Sequence, residues 1–306
     1  MSDPGNIYHY NTEDGFPTLS HTAVFAVFFG LFTVAHIIQA GWKKQWWLYA
    51  TLVIFGLMEV IGWAGERSKL SSACFDIVIQ PDAQIQELVI APCFLTAFIY
   101  YDLANVLRLY GPYSIMPSKT TGIVYITLDV LCILIQAAGG GLAASASSSN
   151  QSNGADAADR VNLGSNVVLA GIALQLVVVL AYSCFLGEFV VRYYTNRPVK
   201  RERPPAAVIR LSSREQLKLK LRLVMLCIIT TFVIWRSAFR VAELNAGWEG
   251  DLMRNQDAFD TCDGMPMLLC LAVSSLLHIG WLNPDSSMMR NLNHASYSSE
   301  GKHELV

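Results

Sequence analysis

The chain has 306 residues, enough for one large soluble domain or two small ones, but 53% are hydrophobic and only 15% charged, against about 25% charged in a soluble globule. A soluble all-helical protein needs a polar face on most helices; here long apolar runs alternate with short polar stretches from about Thr22 to Leu282, leaving no separate soluble core. The formal net charge of −2 says little about partners, since a helical membrane protein segregates its charges between loops; nucleic acid is not an expected partner.

Residues 1–20 carry Asp3, Glu13 and Asp14 and no Lys or Arg, unlike the basic start of a cleaved signal peptide, so the first apolar run is expected to stay in the protein. An apolar stretch of about 20 residues crosses the hydrocarbon core. The pattern predicts an all-α polytopic membrane protein with seven transmembrane helices, at 22–40, 46–65, 88–107, 120–138, 163–191, 221–240 and 265–282. The expected division is an extracytoplasmic segment 1–21, a membrane domain 22–282 and a cytosolic tail 283–306. The fifth run is long enough to tilt or to extend past the bilayer.

Lys and Arg set the orientation. With the N-terminus outside, sixteen fall on the cytosolic side and six on the outer side, the pattern of a positive interior. The outer loop before the last run adds Glu249, Asp251, Asp257, Asp260 and Asp263, and Trp42, Trp46, Trp47 and Trp281 lie at helix ends, where amphipathic rings favour the headgroup zone. Asn150-Gln151-Ser152 is a glycosylation sequon in a Ser-rich loop that this topology puts outside, making Asn150 the glycosylation candidate.

The stretch 192–222 holds ten basic residues against Glu202 and Glu215, with Pro198, Pro204 and Pro205 opposing helix in its first half. It reads as positive-inside topology with attraction to anionic lipid. A docking site for a cytosolic partner is the second reading. None of the seven cysteines forms a C-x-x-C pair, which removes zinc ribbons and that redox motif. Cys74 and Cys262 are the two in outer loops and form the disulfide candidate, with two unpaired outer thiols as the alternative.

Ionisable groups inside spans are costly and mark candidate sites. Glu59, Gly62, Trp63 and Glu66 share one face of the second helix, and Asp129 and Gln136 one face of the fourth, running into Gly139-Gly140-Gly141. Arg236, Arg240 and Glu243 follow at i, i+4 and i+7 near the end of the sixth. Arg222 to Arg236 is about 21 Å of helix, so Arg236 falls within the hydrocarbon thickness and is expected to face the bundle and pair with Glu59 or Asp129. An ion pair that only fixes helix order and a substrate path stand as alternative roles. His36, Gln39 and Gln175 read as interhelical hydrogen-bonding residues, Glu188 with Arg192 as a solvated i, i+4 pair, and His278 as a packed histidine ahead of a proton relay.

Taken together, these residues resemble the fungal lipid-translocating exporter (RTA-like) family of seven-helix membrane proteins. The resemblance rests on Leu31-Phe32-Thr33-Val34-Ala35-His36, Glu59-Val60-Ile61-Gly62-Trp63 with Arg67, Ala91-Pro92 and Tyr100, then Asp129 with Gln136, Gly139 and Gly140. It continues in Gly171 with Gln175, Arg236, Arg240, Glu243 and Gly247, and in Asp263, Pro266-Met267 and His278. Trp63 stands where the family commonly has Tyr, and Ile279 where a proline often follows the histidine. The resemblance implies movement or tolerance of amphiphilic lipids, such as sphingoid long-chain bases or toxic sterol-like compounds, with efflux or resistance as the outcome and the plasma membrane as the expected location.

Three function classes compete. For a translocase, no phosphate-binding loop G-x-x-x-x-G-K-[ST] occurs, and Glu59, Glu66, Asp129, Gln136, Arg236, Arg240 and Glu243 are the substrate-path candidates. His36, Gln175, Asp263 and His278 give polar support. A lipid or stress sensor would signal through 192–222, whereas a retinal protein would need a lysine in the seventh helix, which has none. An enzyme ranks last, without H-E-x-x-H or G-x-S-x-G. No cofactor or metal is expected, and the expected partners are membrane lipids or amphiphilic small molecules.

Overall fold

A computed structural model describes residues 19–68, 81–109, 113–148, 154–199, 213–245 and 256–282, all of them helix, turn or short connection without strand. The helices are α1 (Leu19–Trp42), α2 (Ile54–Ser68), α3 (Pro81–Leu109), α4 (Ser118–Ser148), α5 (Gly154–Tyr194), α6 (Ser213–Asn245) and α7 (Met265–Leu276). Two are lengthened by irregular turns: a 3-10 turn Trp46–Leu48 and a π-helical segment Tyr49–Val53 lead into α2. A short turn Gln256–Phe259 and a second π-helical segment, Asp260–Gly264, lead into α7. In hydrocarbon each backbone N–H and C=O must be satisfied within its own segment, which is why apolar runs of this length close into helices.

Among the described residues six helical stretches are long and apolar enough to cross a membrane: Ala23–Trp42, Trp46–Ala64, Ile90–Arg108, Ser118–Ala143, Asp159–Tyr194 and Asp260–Leu282. The exception is α6, which spans 33 residues but buries Arg222, Arg236, Arg240 and Glu243. The chain is a polytopic all-α integral membrane protein. Each helix packs on its sequence neighbour, α7 closes the ring against α1, and α3 also reaches α6 across the middle. Leu95, Phe98, Ile99, Tyr100 and Leu103 of α3 are wholly buried, whereas Val27, Leu31 and Ile38 of α1 are more than half exposed. Apolar surface outward with charge inward is the arrangement suited to lipid.

Close approach of α4 to α5 depends on glycine. A Cβ on Gly139 would lie 2.8 Å from the Gly164 carbonyl oxygen, and one on Gly164 would lie 2.7 Å from that of Gly139. The helix ends where Lys43, Arg108 and Arg192 lie form the basic end of the bundle. There α5 ends at Tyr194, and the turn beyond it holds Asn196, whose φ of 54° is left-handed and whose Oδ1 accepts a 2.6 Å hydrogen bond from the Tyr113 hydroxyl. Trp42, Trp46 and Trp281 are exposed as expected of interfacial rings. Trp47 departs from that expectation and turns inward, stacking on Phe98 with centroids 5.8 Å apart.

Candidate functional site

Opposite the basic end, α6 and the turn before α7 form a buried charge network. Arg236, Arg240 and Glu243 fall on one face of α6 because they are four and three residues apart. Asp263 comes from the π-helical segment Asp260–Gly264. Arg240 clasps it with both arms, Nε donating to Oδ1 at 2.6 Å and Nη2 to Oδ2 at 2.9 Å. Arg236 approaches the same carboxylate, Nη2 donating to Oδ2 at 3.2 Å and Nε lying 3.0 Å from Oδ1. Arg240 Nη1 also donates to Glu243 Oε2 at 3.1 Å. The expected partner of Arg236 was Glu59 or Asp129; its ion pair is instead with Asp263. The π-helical segment extends the seventh helix outward beyond 265–282 and turns Asp263 inward, so a residue expected in a loop takes the arginines.

Glu59 stands on α2 beside this network, within Coulombic reach of Arg236, Asp263 and Arg240. Its side chain is 1% exposed, and neither carboxylate oxygen closes a hydrogen bond of normal geometry, although the Trp63 indole lies next to it one turn on. Trp63 stacks on Phe25 of α1 with centroids 4.4 Å apart and tilts against Phe259 at 5.9 Å. Arg240 lies over the Phe259 ring at 4.9 Å. Gly264 permits this packing, since a Cβ there would come within 2.5 Å of the indole. Two arginines face Glu59, Glu243 and Asp263, which in ionised form leaves one negative charge in excess inside an aromatic wall. Such a site suits a cation with an apolar body.

A second polar group lies where α3, α4 and α5 meet. Thr96 of α3 hydrogen-bonds Asp129 Oδ2. Gln136 Nε2 donates to Gln175 Oε1 at 3.0 Å, and Gln175 Nε2 reaches Cys93 Sγ at 3.3 Å. Asp129 and Gln136 thus share the buried face expected of them, and Gln175 bonds between helices. His36 of α1 meets the Leu271 carbonyl of α7 at 3.2 Å, Gln39 meets that of Ser275 at 3.3 Å, and His278 lies beside His36 with ring centroids 6.2 Å apart. Those residues form the α1–α7 seam.

Near the basic end Arg222 of α6 is paired with Asp102 of α3, Nε donating at 2.9 Å to Oδ1 and 3.1 Å to Oδ2. Both are almost fully buried. Arg222 closes the basic stretch 192–222 and opens the expected sixth helix, but no partner is expected for it from sequence and Asp102 is not among the candidates; the signal available is an acid well inside the third apolar run, an unfavourable place without a cation. Glu188 and Arg192 form the expected half-exposed pair at 2.8 Å. The backbone of Glu66 belongs to α2, but its side chain, like Cys74 and Asn150, lies outside the described residues. Cys262 is half-buried in the segment that carries Asp263.

Comparison with known proteins covers most of this architecture. The family described as RTA1 like protein matches residues 52–286, which contain both charge networks and the Asp129 group. The sphingoid long-chain base transporter RSB1 of Saccharomyces cerevisiae is 25% identical over 291 residues, covering 87% of this chain and 72% of the relative. The probable lipid transporter atnI of Emericella nidulans is 24% identical over 295 residues, covering 94% and 71%. Protein RTM1 of Saccharomyces cerevisiae is 28% identical over 225 residues, covering 72% and 64%. No solved structure matches the chain. With its matched region running from α2 through α7, the chain belongs to the RTA1-like family.

Proposed function

We propose that the protein is a translocase for amphiphilic lipids with a cationic head, and that Glu59 receives that head. The observation that carries the reading is a buried carboxylate with neither oxygen in a hydrogen bond of normal geometry, with the Trp63 indole as a neighbouring donor, set beside arginines already held by Asp263 and Glu243. Leaving it so is costly in the empty protein, and an ammonium group would supply the missing donors. A sphingoid base joins such a group to a long hydrocarbon tail, which the aromatic wall and the surrounding lipid would accept. The names of the relatives, a sphingoid long-chain base transporter and a probable lipid transporter, support the same substrate class. In this reading α6 also crosses the membrane and brings the spans to seven, the N-terminus is outside, and the protein exports amphiphiles from the plasma membrane, conferring resistance to them. The sixteen-to-six distribution of Lys and Arg supports the orientation.

The test is reconstitution in vesicles with a fluorescent sphingoid base, following its redistribution between leaflets. Wild-type protein should accelerate redistribution over empty vesicles, and Glu59→Gln, which keeps size but removes charge, should lose most of the acceleration while unfolding at the same temperature. Tight binding of the base without movement would favour a sensor. Orientation is checked separately: glycosidase should reduce the size of secretory-pathway protein through Asn150, and a tag at the N-terminus should be protease-accessible on intact cells.

A further inference from the structure

Asp129 has surroundings unlike those of the acids in the two arginine networks and unlike Glu59, which lies within Coulombic reach of Arg236 and Arg240. Asp263 and Asp102 are held by arginines, whereas no cation pairs with Asp129 among the described residues. Its Oδ2 meets the Thr96 hydroxyl, and its Oδ1 is buried with no partner. An ionised carboxylate accepts only and presents about four lone-pair sites, so one neighbour leaves it badly undersatisfied.

Thr96 narrows the protonation state further. Its Oγ1 lies within hydrogen-bond distance of both Asp129 Oδ2 and the Cys93 carbonyl oxygen, the latter at 2.9 Å. A hydroxyl has one proton to donate. With Asp129 ionised, the two acceptors compete for that proton. With Asp129 neutral, its Oδ2–H donates to Thr96 Oγ1, Thr96 donates to the Cys93 carbonyl, and Oδ1 becomes the C=O of the acid. Each observed contact is then satisfied in sequence, and the atom left without a partner is the one that loses least by it.

The titratable groups facing Asp129 are Cys93 and Tyr100 of α3 and Cys132 of α4 itself. From α5 comes Tyr182, edge-on to Tyr100, whose hydroxyl donates to the Ile99 carbonyl. Each is uncharged in its ordinary form near neutral pH. Cys93 is also within Coulombic reach of Arg236, so one α3 side chain senses both Asp129 and an arginine of the Glu59 region.

We propose that Asp129 is a proton-binding site, loaded as a neutral carboxylic acid while the bundle is empty and exchanging its proton for a cationic head group. The exchange rests on the translocase reading above; the loaded acid does not. In the exchange, once the head group has passed on from Glu59, the Asp129 carboxyl O–H bond breaks, the proton passes to water as hydronium, and the carboxylate pairs with the ammonium. One positive charge leaves for each that enters, so this site never holds an unpaired ionised acid.

The experiment is infrared difference spectroscopy on the purified full-length protein in detergent, comparing H2O with D2O, joined to a pH-dye measurement in weak buffer as sphinganine is added. A carboxylic C=O stretch should appear in wild type, disappear in Asp129→Asn and shift in frequency in Thr96→Val, which keeps the acid and removes its hydrogen-bond acceptor. The Thr96 variant keeps the idea open to refutation should Asp129→Asn fail to fold. Sphinganine should erase the band and release a proton for each base bound, and a long-chain alcohol of equal length should do neither. A band that is absent in wild type, or unchanged in both variants, overturns the proton site even if the base still crosses vesicles. A band that answers to Asp129 while sphinganine binds without proton release overturns the exchange.

Discussion

Asp102 and Arg222 meet across 120 positions of sequence and are nearly inaccessible, so removing one partner strands the other. Arg222→Ala should lower stability by about 3–5 kcal/mol, read as a drop in unfolding temperature in detergent, and Asp102→Asn combined with Arg222→Gln should recover much of it. The network opposite behaves differently because Asp263 serves two arginines. Arg236→Ala leaves Asp263 its closer partner, Arg240, whereas Asp263→Ala leaves both arginines without that carboxylate. Asp263→Ala should therefore reduce the unfolding temperature and membrane expression more than Arg236→Ala; the reverse order would count against the geometry. Glu59 holds neither oxygen in an ordinary hydrogen bond and Gln keeps its size, so Glu59→Gln should unfold within about 1 kcal/mol of wild type, no more than a typical single substitution costs.

The two π-helical segments show where the sequence stops being legible. Apolar length located the helices, with 46–65 expected against Trp46–Ala64 observed, because the cost of unsatisfied backbone in lipid makes length decisive. Helical spacing also located the buried faces of Glu59 with Trp63, Asp129 with Gln136, and Arg236 with Arg240 and Glu243. Pairing between helices was harder to read. Asp263 lay in an expected loop, and the irregular segment that carries it inward leaves no periodic mark of its own. Asp102 and Arg222 meet only through the across-ring contact of α3 with α6, which spacing along either helix does not encode. Packing at the irregular segment gives a further expectation. Gly264→Val would push a side chain into Trp63, so it should destabilise by about 1–3 kcal/mol, as overpacking does, and weaken translocation together with Glu59. Gly139→Leu should open the α4–α5 crossing at a similar cost without reaching the Glu59 wall. Unfolding measured beside transport separates the two.

Around the ring, each helix has two neighbours in sequence order and α3 fills the middle, so the polar groups are gathered inward and the outer surface is left to lipid. Such an arrangement gives α6 an unusual route into the bilayer during synthesis. It is the helix that does not qualify as a span on apolar length, and an arginine near a helix centre costs about 2.5–3.5 kcal/mol at insertion. Glu243 serves Arg240 from within α6, but the other acids come from elsewhere: Asp102 from α3, already made when α6 leaves the ribosome, and Asp263 from the π-helical segment before α7, not yet made. The Arg222 end can find its counter-ion at once, while the Arg236 end must wait for later chain. A nascent protein stopped at residue 250 should therefore hold α6 poorly, with a glycosylation tag after it failing to reach the lumen efficiently. Extending the chain through 282 should rescue the tag, and Asp263→Ala should cancel the rescue.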